Sequence, residues 1–391
     1  MKFNIIKMED ALDALIDYRG KTPKKSLNGI MTLSAKSVKN NHIDYSQCYF
    51  ISEDEYKKFM VRGFPKKGDI LLTTEAPLGL VARLDRDDVA IAQRLLTLRG
   101  KENVLDNDYL LYYLQSPIGQ VSLKARETGT TVTGIKQSEF RKIEIKIPDY
   151  AVQKKISSIL KVIDRKIELN KAINNNLEQQ AQAIFSNEFL TLEALPDGWK
   201  QASLIDIADY LNGLAMQKYR PTADETGIPV LKIKELRQGC CDDNSELCSP
   251  NIKSEYIIHD GDVIFSWSGS LLVDFWCGGI CGLNQHLFKV TSNKYDKWFY
   301  YAWTKHHLDR FIAVAADKAT TMGHIKRDEL SKAEVLIPNE ADYKRIGALL
   351  QPIYDLIIAN RIENKKLVET RDTLLPKLMS GEIDISEVDY E

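Results

Sequence analysis

The sequence predicts an α+β protein: two mixed α/β domains in tandem, each followed by a long helix, the two helices pairing as an antiparallel coiled coil. The first observation is the stretch from Ala151 to Phe185, which contains no Gly or Pro. In it Ile156, Leu160, Ile163, Ile167, Asn170, Asn174, Leu177, Ala181 and Ile184 recur at alternating spacings of four and three. This is a coiled-coil seam, with Lys, Glu, Gln and Asn on the other faces. The second observation is its return at an offset of 190, as Ile346, Leu350, Ile353, Ile357, Asn360, Asn364, Leu367, Arg371 and Leu374. Both seam asparagines stay in register, as expected of two helices that pair with each other and fix their alignment through Asn. The third observation is that the regions ahead of the helices repeat as well.

The first domain is expected over residues 1–149. A short amphipathic segment, Met8 to Asp17, leads into a basic turn at Tyr18–Lys25 that carries Arg19, Lys21, Lys24 and Lys25. Strands are expected at Ile30–Leu33, Asp69–Thr74, Leu80–Arg83 and Val89–Ala92, and a short helix at Tyr109–Gln115. A Gly/Thr loop and an alternating strand then run to Pro148. A central helix is placed at 150–190, a second domain at 191–338, and a distal helix with an acidic tail at 339–391. Pro352 lies inside the distal periodic region and is expected to kink it or to mark a local restart; Arg371 interrupts the apolar seam.

Within the second domain Gly213 answers Gly20, Gly261-Asp262 answers Gly68-Asp69, and Gln285 answers Gln93. The run from Ala319 to Pro338 answers that from Gly129 to Pro148, so Thr320 and Thr321 match Thr130 and Thr131, and Lys326 matches Lys136. Duplication on this scale is a strong architectural signal. The copies diverge between these anchors: Thr73-Thr74-Glu75-Ala76-Pro77 stands where the second copy has Ser266-Trp267-Ser268-Gly269. A shared frame with different loops suggests two sites doing similar work on different targets.

Composition sets bounds on function. A net charge of −2 and 28% charged residues carry no global polyanion signal, but residues 1–150 hold 24 Lys and Arg against 20 Asp and Glu. Basic surface for a nucleic acid is therefore expected to be local. No span is apolar enough for a membrane helix, and acids interrupt the N-terminal segment, so a cytoplasmic protein without membrane association is expected. The six cysteines do not have zinc-framework spacing, and no metal site is expected.

No phosphate loop, dinucleotide fingerprint, zincin motif or nucleophile elbow is present. The nearest catalytic hint is Glu144 and Lys146 on one strand, which with Asp106 or Asp108 would suit a Mg²⁺-dependent nuclease. The second copy has Glu334-Val335-Leu336 there, which argues against it. What remains fits binding. Cations and amides in Gly-bordered loops suit phosphates and base edges: Arg19, Lys21, Lys24, Lys25, Lys36, Gln93, Arg94, Thr130, Thr131 and Lys136 in the first copy, and Lys218, Arg220, Lys232, Lys234, Gln285, His286, Thr320, Thr321, His324 and Lys326 in the second. The aromatic segments at 109–115 and 298–303 are expected to be core. A coiled-coil scaffold that binds protein is the rival reading.

The Pro-Asp-Gly-Trp opening of the second copy, the Gly-Asp-Ile/Val strand in each copy, the T-T-x₃-I-K…I-P run before each helix and the terminal L-L-P-K-L-M-S-G-E-I together resemble the specificity subunits of type I restriction-modification systems. The resemblance covers essentially the whole chain. It implies two target-recognition domains, each reading one half of a split sequence in double-stranded DNA, with the helices as spacer. It further implies a non-catalytic subunit that docks two methyltransferase subunits and restriction/translocase subunits. Adenine N6 methylation would then be theirs, and S-adenosylmethionine, ATP and Mg²⁺ would belong to them, with no cofactor of this chain's own. About 35 helical residues would span roughly 50 Å, so half-site spacing would follow helix length.

Overall fold

The seam residues form two long helices, Tyr150–Phe185 and Glu340–Ser380, in the computed structural model of the protein, which describes residues 1–129, 133–317 and 327–388. The chain divides into two compact units, Met1–Arg165 with Val368–Glu391, and Lys166–Leu367. Each unit therefore holds the start of one long helix and the end of the other together with its own sheets.

In the first unit, Leu12–Asp17, Leu95–Gly100, Ile70–Thr74 and Leu78–Arg83 form an antiparallel sheet in that spatial order. Ile70–Thr74 is buried along its whole length because both faces are covered. Ile70 and Leu72 pack in a cluster with Tyr109, Ile156, Leu160 and Leu378, while Leu71 faces Leu33 and Ile91. A second sheet sets Ile30–Leu33 between Tyr49–Ile51 and Val89–Ile91, and the pairing with Val89–Ile91 is parallel, Leu33 opposite Ile91. The alternating strand Glu144–Pro148 pairs with Phe3–Lys7. The expected amphipathic segment splits into one helical turn, Met8–Ala11, and the strand Leu12–Asp17, because an edge pairing with Leu95–Gly100 claims its second part.

The second unit repeats this plan. Asp209–Asn212, Leu287–Thr291, Val263–Ser266 and Leu272–Phe275 form the antiparallel sheet, Ile228–Leu231 runs parallel to Cys281–Leu283 with Leu231 opposite Leu283, and Lys200–Ser203 pairs with Glu334–Ile337. Val263 and Phe265 face one cluster and Ile264 the other, as in the first unit. The Gly-Asp turns match atom for atom. Gly68 N donates to Leu84 O and Leu84 N to Asp69 O; Gly261 N donates to Trp276 O and Trp276 N to Asp262 O. Both glycines have positive φ, +94° and +87°, which their turns require. Asp69 then holds Arg99 at 2.7 Å, and Asp262 holds Lys289 at 2.8 Å.

The seam pairs as expected and also serves the domain cores. In the second unit Asn170 Nδ2 donates to Asn364 Oδ1 (2.9 Å) and Glu363 Oε2 (2.7 Å), and Asn360 Nδ2 donates to Asn174 Oδ1 (2.8 Å). Amides buried at this depth require such partners, so they set one register. Ile346, Leu350 and Ile357 extend into the cluster of Trp298, Phe299 and Trp303, as Ile156 and Leu160 do around Tyr109 in the first unit. Burying each such side chain contributes roughly 1.5–3 kcal/mol. Arg371 is tolerated on the seam because Asp164 meets it at 3.0 Å, with Tyr112 donating to the same carboxylate. The helix does not restart at Pro352: Pro352 and Ala348, whose carbonyl loses its donor, are both on the exposed face, while Leu350 and Tyr354 anchor the other. Among the described residues no helix is long and apolar enough to cross a membrane.

Candidate nucleic-acid interface

Parallel strands bring two loops to the same end of a sheet, and the crevice beyond their carboxyl ends is where open α/β sheets accept ligands. In the first unit Ser34–Lys36 follow the strand Ile30–Leu33, and Ala92–Arg94 follow Val89–Ile91. A cleft of about 540 Å³ opens between them, closed by Lys25, Gln47 and Tyr49. In the second unit Lys232–Lys234 follow Ile228–Leu231, and Asn284–His286 follow Cys281–Leu283. A cleft of about 450 Å³ lies there, closed by Gln217, Arg220 and Glu246.

The frames coincide. Ala92 N donates to Leu33 O at 2.8 Å and Asn284 N to Leu231 O at 3.2 Å; Arg94 O accepts from Thr74 N at 3.0 Å and His286 O from Trp267 N at 3.4 Å. Gln93 and Gln285 therefore occupy the same post. The first cleft is lined by three cations, Lys25, Lys36 and Arg94, and no carboxylate; the second by Arg220, Lys232 and Lys234 with one carboxylate, Glu246. A concave wall of cations, amides and hydroxyls suits a polyanion whose edges offer hydrogen-bonding groups.

The two walls differ in chemistry. Glu75 bridges Arg94 (2.8 Å) and Arg19 (3.4 Å), and Arg19 also donates to Ile135 O. In the second cleft Glu246 bridges Lys232 (2.6 Å) and Arg220 (3.4 Å), and the Lys232 ammonium holds the Glu246 carboxyl below the usual carboxylate range. Lys234 pairs with Asp242 at 3.1 Å, which raises the lysine and lowers the acid. His286 Nδ1 lies 3.0 Å from Ser268 Oγ, and its Nε2 3.4 Å from Gln285 Nε2.

Of the residues expected to bind, the clefts gather Lys25, Lys36, Gln93 and Arg94 in one unit and Arg220, Lys232, Lys234, Gln285 and His286 in the other. Arg19 joins the first through Glu75. Lys21, Lys24, Lys136 and Lys218 are exposed but do not line the clefts; Lys24 offers its backbone N–H to Glu55, and Lys136 precedes the short helix Gln137–Arg141. Thr130, Thr131, Thr320, Thr321, His324 and Lys326 lie outside the described residues. Sequence reasoning gave no role to Tyr49, Glu75, Gln217 or Glu246. Glu75 and Ser268 sit in the loops where the copies diverge, which was the one available signal.

The catalytic hint has no support in the geometry. Glu144 and Lys146 line a pocket of about 600 Å³ together with the apolar Phe3, Ile5 and Met379. Among the described residues no group of three or more His, Cys, Asp or Glu side chains is close enough to hold a metal ion. The six cysteines are free thiols, and burial pushes Cys277 up to about 11. The aromatic residues of 109–115 and 298–303 are buried, as expected.

The chain is 28% identical over 363 residues to the MjaIX specificity subunit of Methanocaldococcus jannaschii, which covers 86% of this chain and 82% of the relative. It is 21% identical over 399 residues to the HindI specificity subunit of Haemophilus influenzae, covering 81% of this chain and 87% of that one. In fold it is similar to the crystal structure of the type I restriction-modification S subunit from M. genitalium, with a TM-score of 0.61 at 16% identity over 97% of this chain and 96% of the other. The type I restriction modification DNA specificity domain matches twice, over residues 11–179 and 196–369. With two copies of that domain filling most of its length, the chain belongs to the family of type I restriction-modification specificity subunits.

Proposed function

We propose that each cleft reads one half of a split double-stranded DNA target, and that the chain performs no chemistry itself. The observation that supports this most is the duplicated cleft. The same loops follow the same parallel strands, keep one glutamine in common, and differ in the residues beside it. A shared frame holds the duplex in equivalent ways while the differing side chains meet different bases. Two methyltransferase subunits transfer the methyl group to adenine N6, and restriction/translocase subunits join them; S-adenosylmethionine, ATP and Mg²⁺ enter with these partners. The complex works in the cytoplasm, where the DNA is. The long helices act as spacer and docking surface.

The test is genome-wide adenine-methylation mapping in cells that express this chain with its methyltransferase partner, against cells lacking this chain. A split motif that is present only with the chain is the expected result. Unchanged methylation, with no salt-dependent duplex binding by the co-purified complex, would replace this reading with a protein-binding scaffold.

A further inference from the structure

Beside the shared glutamine of each cleft stands a pair of side chains that differs between the copies. Position 94 is Arg and its counterpart 286 is His; position 75 is Glu and its counterpart 268 is Ser. In both units the two members touch, Glu75 Oε1 with Arg94 Nε at 2.8 Å and Ser268 Oγ with His286 Nδ1 at 3.0 Å. The loop that carries position 75 or 268 therefore orients the side chain at 94 or 286.

The first pair is a built site. Arg94 holds a left-handed backbone, φ +70°, which a non-glycine residue rarely adopts. Glu75 is one-fifth exposed and is fixed from behind by Gly134, where a Cβ would come within 2.6 Å of Thr74 O and 2.9 Å of the Glu75 Cβ. Its second oxygen is engaged by Arg19. Glu75 occupies Arg94 at Nε, which leaves the two terminal amines of a side chain that is about half exposed at the cleft wall. Two parallel N–H donors on a planar fork match the O6 and N7 acceptors of guanine, and no other base edge in the major groove presents two acceptors to one fork. His286 has Nδ1 turned to Ser268 and Nε2 3.4 Å from Gln285, and its ring carries no pair of parallel donors, so it cannot make that bidentate contact.

Resting on the reading of each cleft as the reader of one half-site, we propose that Glu75 and Arg94 form the guanine-selecting element of the first half-site. Arg94 reads the base and Glu75 is its positioning residue. Ser268 and His286 hold the same posts in the second cleft without selecting guanine.

The experiment is methylation-motif mapping with the intact complex carrying Arg94→Gln, Arg94→Lys or Glu75→Gln. The wild-type motif is expected to contain a guanine in one half that becomes degenerate in Arg94→Gln and Arg94→Lys, while the other half-site is unchanged. Discrimination at that base should fall by about 5- to 100-fold. Arg94→Lys keeps the charge and loses the fork, so its relaxation separates base reading from phosphate attraction. Glu75→Gln should relax the same position more weakly, and the remaining positions of the motif should stand. Uniformly weaker methylation with an unchanged motif would mean that Arg94 meets phosphate, and would overturn the proposal. So would a wild-type motif without guanine in either half. Absence of any split motif with the wild-type chain would instead remove the half-site reading on which the proposal rests.

Discussion

In the first cleft Lys25 stands 4.9 Å over the Tyr49 ring, and Lys36 has no ion pair among the described residues. In the second, Lys232 and Arg220 share Glu246, and Lys234 is paired with Asp242. The walls carry the same number of cations on the same backbone frame, yet only one presents its lysines free of acids. A free lysine that meets a phosphate releases counterions in full, whereas a paired one must first exchange a carboxylate for a phosphate. The two walls therefore keep the same number of cations and share the Lys36/Lys234 post, while the other posts and the availability of the charges diverged. On the proposed reading, the two half-sites would be held with unequal electrostatic weight.

A second difference lies in the corner between the helices that cover each antiparallel sheet. Ser116 turns it in the first unit, accepting from Gly119 N and donating to Tyr113 O. His307 turns it in the second, with Nε2 2.8 Å from Glu334 O. Burial is the main cause that lowers the His307 pKa to about 4; the Glu334 carbonyl opposes the shift, and His306 and Arg310 add to it. The unfolded chain protonates this ring below about pH 6.5, and the folded chain only below about pH 4. Between those values the unfolded state binds more protons, so stability is lost as pH falls through the window, and the loss is complete near pH 4.

This gives the largest expected contrast between the units. From pH 7 to pH 4.5 the second unit should lose on the order of 2–3 kcal/mol that the first, which has only the exposed His42, does not. Amide hydrogen exchange followed separately in the two units checks it, and His307→Gln should flatten the pH dependence of the second. Equal loss in both units would break the contrast. The smaller effect concerns charge. Lys25→Ala with Lys36→Ala should weaken duplex binding by the assembled complex about tenfold and reduce its salt slope by nearly two, since each phosphate contact contributes about 0.9. Lys232→Ala with Lys234→Ala should cost less, and Glu246→Gln should strengthen binding a few-fold by freeing Arg220 and Lys232. Equal losses from the two lysine pairs would show that the carboxylates do not hold the second set back.

The frame was legible because it depends on local periodicity and on recurrence. The seam from Ile156 to Leu177 and its repeat from Ile346 to Leu367 specify the helices, and the Gly-Asp turns at 68–69 and 261–262 mark the same strand in both copies. The clefts were legible only in part. Gln93 and Gln285 stood out through their shared offset, but the wall forms where Leu33 and Ile91 meet in a parallel pair, and that register is a tertiary fact. The acids that clamp the cations come from still other loops, Glu75 from a strand end and Glu246 from ahead of Leu247–Cys248. Charge spacing along the chain carries no trace of those pairings. Lys21 and Lys24 show the reverse: they belong to the densest basic run, yet line neither cleft.

The central claim is that the two units read independently. It is tested most directly by replacing residues 191–338 with the corresponding domain of a relative and mapping adenine methylation in cells that supply the methyltransferase partner. One half of the split motif is expected to change to the donor's while the other half is retained. A change in both halves, or in neither, would contradict it.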